Sequence, residues 1–131
     1  MRVAISALSV KPNLTGGGET VLVNLVRALP STDPGIDYLL FVPQANRHLF
    51  AQDGVKLVTA PRWVFAPILR VFYEILVLPL VLRRWRADCF LAVNQVASPL
   101  VSCPTLAVVQ NLLYYRFREL YGDAPLGPLA R

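Results

Sequence analysis

Charge is scarce in this chain. Asp, Glu, Lys and Arg make up 16% of its 131 residues, against about 25% in ordinary globular proteins. Metal-ligating side chains are scarce as well. There is one histidine, His48, and the two cysteines, Cys89 and Cys103, form no CxxC pair, which argues against a zinc site. The cysteines read as reduced, mostly buried thiols of a cytosolic protein, and His48 as a solvated loop residue rather than a catalytic group. A signal peptide is not expected at residues 1–13, because the apolar run of residues 3–8 is short and ends in Lys11-Pro12-Asn13. No Lys/Arg run reaches the length of a nucleic-acid tail, and the tyrosines are not interleaved with basic residues, so nucleic acid is not an expected partner. Internal repeats and low-complexity segments are absent.

Apolar residues are abundant, at 55%, with a mean hydropathy of +0.49. Such an excess fits a sheet buried on both faces, a membrane-facing surface and a fragment separated from its partner, and all three are expected to contribute. The length suits one domain. Eleven arginines and two lysines against eight acids give a net charge of +5. Much of the excess lies in Arg83, Arg84, Arg86, Arg116 and Arg118, which points to phosphate or anionic lipid.

Strand and helix patterns alternate. Arg2–Leu8 has the continuous apolar character of a central parallel strand. A loop follows, and a helix is expected from about Gly17 to Leu29, with Val21, Leu22, Leu25, Val26 and Leu29 on one side. Thr15 or Gly16 is its expected N-cap. With Gly16 in that role Glu19 falls at the third helical position, where an acid is favourable. The run from Pro30 to Gly35 reads as a helix stop. Tyr38–Val42 and Val55–Ala60 are the next strands, separated by a polar stretch, Pro43 to Gly54. Further strands are expected at Asp88–Val93 and Pro104–Val109.

Between the third and fourth strands lies the apolar segment Trp63 to Arg86. Its Trp63–Leu82 window is as long as a membrane span. Arg70, Glu74, Pro67 and Pro79 argue against spanning. A helix from about Pro67 to Trp85, kinked or broken near Pro79, is the expectation, with Arg83-Arg84-Trp85-Arg86 complementing the negative end of its dipole. This helix packs on the sheet throughout, or also rests on anionic headgroups.

Alternating strands and helices predict an α/β domain with a parallel sheet and flanking helices. Ligands of such sheets bind beyond the carboxyl ends of the strands. Three groups fall there: Thr15 to Thr20 after the first strand, Asn94-Gln95 after the fourth, and Gln110-Asn111 after the fifth. Gly16-Gly17-Gly18 matches neither GxGxxG nor a Walker loop; alone it can be a tight turn that brings helix and strand together. At a helix start its bare amides suit an anion. Gln110, Asn111 and Asn94 can cap strand ends or hydrogen-bond sugar hydroxyls, since an amide both donates and accepts. Glu19 can accept from a ligand hydroxyl or simply stabilise the first turn.

Several pieces, in this order and spacing, resemble the N-terminal domain of a GT-B glycosyltransferase of the family 4 type. They are Met1-Arg-Val-Ala-Ile, Leu14-Thr-Gly-Gly-Gly-Glu-Thr, Tyr38-Leu-Leu-Phe-Val, Tyr73-Glu74 with Leu78-Pro79, Leu82-Arg-Arg-Trp-Arg-Ala-Asp88 and Val108-Val-Gln-Asn111. The resemblance implies a Rossmann-like sheet forming the N-terminal, acceptor-side half of a two-lobed enzyme. The C-terminal lobe would hold most of the nucleotide-sugar site and a Glu-x7-Glu motif. In similar enzymes the loop after the first strand faces the donor phosphates, which here implies Gly16, Gly17, Gly18 and Glu19. Asn94, Gln110 and Asn111 would then contact the acceptor. Many relatives have His-Asp where this chain has Gln110-Asn111, so no catalytic residue is assigned.

The implied activity is retaining transfer of a hexose from a nucleotide-sugar to a glycan or lipid-linked acceptor, with no metal or cofactor. Residues 1–131 read as a partial N-terminal domain without its donor-binding lobe, inactive alone. The expected location is cytoplasmic, or peripheral at the inner face of the plasma membrane, with an anionic-membrane contact through Trp63–Arg86. Two other readings stay open: a non-enzymatic membrane-associated α/β module, and another Rossmann-type nucleotide-binding domain.

Overall fold

The structure, a computed structural model, describes residues 1–10, 17–93 and 98–108. Five strands, β1 (Arg2–Ser6), β2 (Asp37–Pro43), β3 (Val55–Ala60), β4 (Cys89–Ala92) and β5 (Thr105–Ala107), form one sheet in the order β3-β2-β1-β4-β5. Every pairing is parallel. Helix α1 (Gly17–Thr32) joins β1 to β2. A short turn and helix α2 (Arg47–Phe50) join β2 to β3. Between β3 and β4 run α3 (Pro67–Phe72), a widened π-type turn (Tyr73–Val77) and α4 (Leu78–Trp85). The chain is thus a Rossmann-like α/β domain with helices on both faces of the sheet.

Alternation along the strands sorts the core into two layers. Ala4, Leu39, Phe41, Phe90 and Ala92 pack against Tyr73, Leu78 and Leu82. Ile5, Tyr38, Leu40 and Val42 pack against Leu22 and Val26 of α1 and Phe50 of α2. Because β1 and β2 are covered on both sides, they read as unbroken apolar runs. The edge strand β5 is exposed throughout.

The amino end of the sheet is pinned by Arg2. Its backbone N–H donates to Asp88 Oδ2 at 2.7 Å, and its guanidinium donates to the Trp85 carbonyl at 3.0 Å. The Asp88 N–H returns a bond to the Arg2 carbonyl at 2.9 Å. These bonds set the β1–β4 register where α4 ends. Helix α4 closes in a left-handed cap at Arg86 (φ 55°), with Arg86 N–H on the Arg83 carbonyl and Ala87 N–H on the Leu82 carbonyl. That is a Schellman arrangement with arginine where glycine is usual.

Of two prolines inside helical segments, Pro30 behaves differently from the sequence expectation. Pro30 does not stop α1, which continues to Thr32. Proline lacks the N–H that would bond the carbonyl four residues back, here that of Val26. The Gln52 side chain supplies the missing donor, its Nε2 lying 2.6 Å from that carbonyl. Gly54, at φ 83°, allows the same turn to press on Pro30: a Cβ there would lie 3.0 Å from the Pro30 Cβ. Near Pro79, where a kink or break is expected, the α-helical pattern is interrupted between α3 and α4. The turn before it widens, so that the Leu78 N–H reaches the Tyr73 carbonyl. One extra residue in the turn accommodates the proline ring.

Smaller differences follow the same logic of context. The polar stretch after β2 holds α2 rather than a plain loop, and His48 sits exposed on that helix. Cys89 and Cys103 are free thiols, half-buried rather than fully enclosed. β1 and β4 end before Leu8 and Val93.

A double-mutant cycle tests the role of Gln52. Gln52→Ala is expected to cost about 1 kcal/mol in the native background. In a Pro30→Ala background the substituted alanine donates its own N–H to the Val26 carbonyl. There the loss should fall by more than half, read from urea-unfolding midpoints.

Candidate functional site

The strand order places a topological switch at the junction of β1 and β4. From β1 the chain leaves through α1 toward β2 on one side, while β4 begins the other side. Connections therefore diverge beyond the carboxyl ends of these two strands, the usual ligand position of open parallel sheets. Ser6 at the end of β1 pairs with Ala92 at the end of β4, and Ala92 pairs with Ala107 at the end of β5. The three strand ends thus stand side by side on one edge.

Past β1 the backbone keeps its course for one residue, with the Ala7 N–H on the Phe41 carbonyl at 2.9 Å. It then turns, the Val10 N–H bonding the Ala7 carbonyl at 3.2 Å. Asn46, buried after β2, clamps this turn: its Nδ2 donates to the Val10 carbonyl at 2.7 Å. That bond fixes where the chain departs toward residues 11–16. The chain is described again at Gly17, the first residue of α1, with Glu19 in the first turn. The leading N–H groups of a helix have no intrahelical partner, and the helix dipole adds partial positive charge there. Gly17 is exposed, and a Cβ built on it meets nothing within 4 Å. Packing therefore does not demand glycine at this position.

Two buried polar atoms at this edge stand without hydrogen-bond partners among the described residues: Ser6 Oγ and Asn46 Oδ1. Ser6 is only 3% exposed and Asn46 1%.

Of the residues singled out from sequence, Gly17, Gly18 and Glu19 form the start of α1, at the expected edge. Gly16, Asn94, Gln110 and Asn111 lie outside the described residues, as do Thr15 and Gln95. Asn46 and Ser6 carried no sequence signal. The first sits in a polar stretch and the second ends an apolar strand, and only their burial distinguishes them. Glu74, met in the sequence as an obstacle to membrane spanning, proves buried in the widened turn, 3.9 Å from Arg70 Nε.

Among the described residues no group of three or more His, Cys, Asp or Glu is placed to hold a metal ion. Burial raises the Tyr73 hydroxyl pKa above its ordinary value and keeps it neutral. Burial also raises the Cys103 thiol, with repulsion from Cys89 and Asp88 adding to it and a backbone hydrogen bond opposing. A raised thiol is a poor nucleophile near neutral pH. Among the described residues, the groups at this edge are hydrogen-bonding and dipolar ones: Ser6, Asn46 and the start of α1. Compared with known protein families, curated proteins and solved structures, the chain matches none.

Because Ser6 Oγ has no partner among the described residues, Ser6→Ala should raise stability by about 1 kcal/mol. A higher urea midpoint with unchanged slope is the expected reading, and a drop in the midpoint would reveal a hydrogen bond to that hydroxyl.

Proposed function

We propose that this domain is the acceptor-side half of a retaining, metal-independent glycosyltransferase of the GT-B type, moving a hexose from a nucleotide-sugar to a glycan or lipid-linked acceptor. The observation that carries the proposal is the start of α1, open to solvent, at the carboxyl edge where β1 and β4 diverge. Breaking a sugar–phosphate bond leaves negative charge on the departing diphosphate. Fixed N–H dipoles aimed at that charge lower the barrier without having to reorganise. The amides of Gly17 and Gly18 are suited to this, and the exposed, uncrowded Gly17 lets a phosphate approach the backbone. Glu19, in the first turn of α1, would accept from a donor-sugar hydroxyl. Asn94, Gln110 and Asn111, which follow neighbouring strand ends in the sequence, would orient acceptor hydroxyls. Asn46 acts as a positioning residue through its clamp on Val10.

In this reading the nucleotide base and most diphosphate contacts come from a second lobe closing over the same edge. The isolated 131-residue chain is accordingly expected to give no turnover with nucleotide-sugars. In an enzyme with both lobes, Gly17→Leu should fold normally, since space surrounds that Cβ, and should lower transfer by at least about 100-fold through displaced phosphates. Unchanged turnover in that variant would remove the α1 start from the site.

A further inference from the structure

The helical run from α3 through α4 is apolar on both sides. Inward, Glu74, Leu78 and Leu82 recur at intervals of four and are buried. Outward, Ile68 is 73% exposed, Phe72 57%, Leu76 53% and Leu80 65%, also at intervals of four. A surface helix normally turns a polar face to water. This one does not, and Trp63 stands exposed just ahead of it. No helix among the described residues is long and apolar enough to cross a membrane.

The charges around this face have one sign. Residues 61–87 contain Arg62, Arg70, Arg83, Arg84 and Arg86 and a single acid, Glu74. Glu74 is 5% exposed and ion-paired with Arg70, so the charge presented to solvent along this stretch is cationic. Two apolar recesses flank α4. One, of about 280 Å³, lies between Leu76, Pro79, Leu80 and Leu100 with Arg83 at its side. The other, of about 320 Å³, lies between Leu39, Val58, Val81 and Trp85 with Arg84 at its side. Each joins an apolar hollow to one guanidinium, the pairing of features found in an acyl chain below an anionic headgroup.

We propose that the outer face of α3–α4 docks on a lipid bilayer carrying anionic headgroups. Phe72, Leu76 and Leu80 enter the headgroup–acyl boundary, and Arg83 and Arg84 hold headgroup phosphates. Apolar insertion and electrostatic attraction act together in such interfacial helices. The inference is independent of the glycosyltransferase reading, because the face lies on a helix pair packed against the flank of the sheet rather than on the switch-point edge.

Vesicle co-sedimentation of the 131-residue chain tests it. The protein should pellet with phosphatidylglycerol–phosphatidylcholine vesicles, remain in the supernatant with pure phosphatidylcholine, and release as salt rises. Arg83→Gln with Arg84→Gln should lower partitioning about thirty-fold, from about a factor of five per basic residue. Phe72→Ser with Leu80→Ser should lower it further without unfolding, checked by circular dichroism, because both side chains already face solvent. Val21→Ser, on the exposed side of α1, should leave it unchanged. Equal binding to neutral vesicles, no binding to anionic ones, or an equal effect of Val21→Ser would overturn the proposal. Pelleting without vesicles, the sign of a second copy covering the face, would do so too.

Discussion

Burial of β1 on both faces and both edges governs how the other elements are arranged. Its Ala4, Ile5 and Ser6 are enclosed, and its backbone hydrogen bonds are shared between β2 and β4. A strand so placed has no freedom of register: a slip by one residue would exchange the side chains packed under α1 for those packed under α4. Arg2 and Asp88 lock the register from the amino end. At the opposite end the connections diverge, from β1 to one side of the sheet and from β4 to the other. The same arrangement that makes the core rigid therefore holds the start of α1 and the ends of β1 and β4 in fixed relation, which is what a preorganised binding edge requires.

The helices show how a chain with many prolines keeps long helical segments. At Pro30 the orphaned Val26 carbonyl is satisfied from outside the helix by Gln52. At Pro79 the helix itself rearranges, widening by one residue. The second solution has a consequence for the surface. Glu74 is buried within the widened turn, which removes the only acid of the segment from its outer side and leaves that side apolar with an arginine border.

The central strands β1 and β2 could be read in the sequence because unbroken apolar runs mark doubly covered strands. β3 was legible to its ends, and β2 to within a residue. The reach of α1 past Pro30 was not legible, because the donor that permits it comes from a residue 26 positions beyond Val26. The kink or break expected near Pro79 takes the form of a widened turn, since local sequence signals the conflict but not how neighbouring packing resolves it. At the candidate site, Gly17 and Glu19 were legible from the strand–glycine–helix order. Ser6 and Asn46 were not, because a buried polar side chain differs from a solvated one only in its surroundings. Asn94, Gln110 and Asn111 remain readings of the sequence.

If the edge beyond β1 and β4 presents helix-start amides to an anionic ligand, those amides should respond when such a ligand is added. Amide chemical-shift mapping of a nitrogen-labelled enzyme with both lobes, during titration with a nucleoside diphosphate, reads this without an intervening assay. Saturable shifts concentrated at Gly17, Gly18, Glu19 and the Ala7–Val10 turn are the expected result. Shifts absent from those amides, or confined to the arginines of α4, would contradict it.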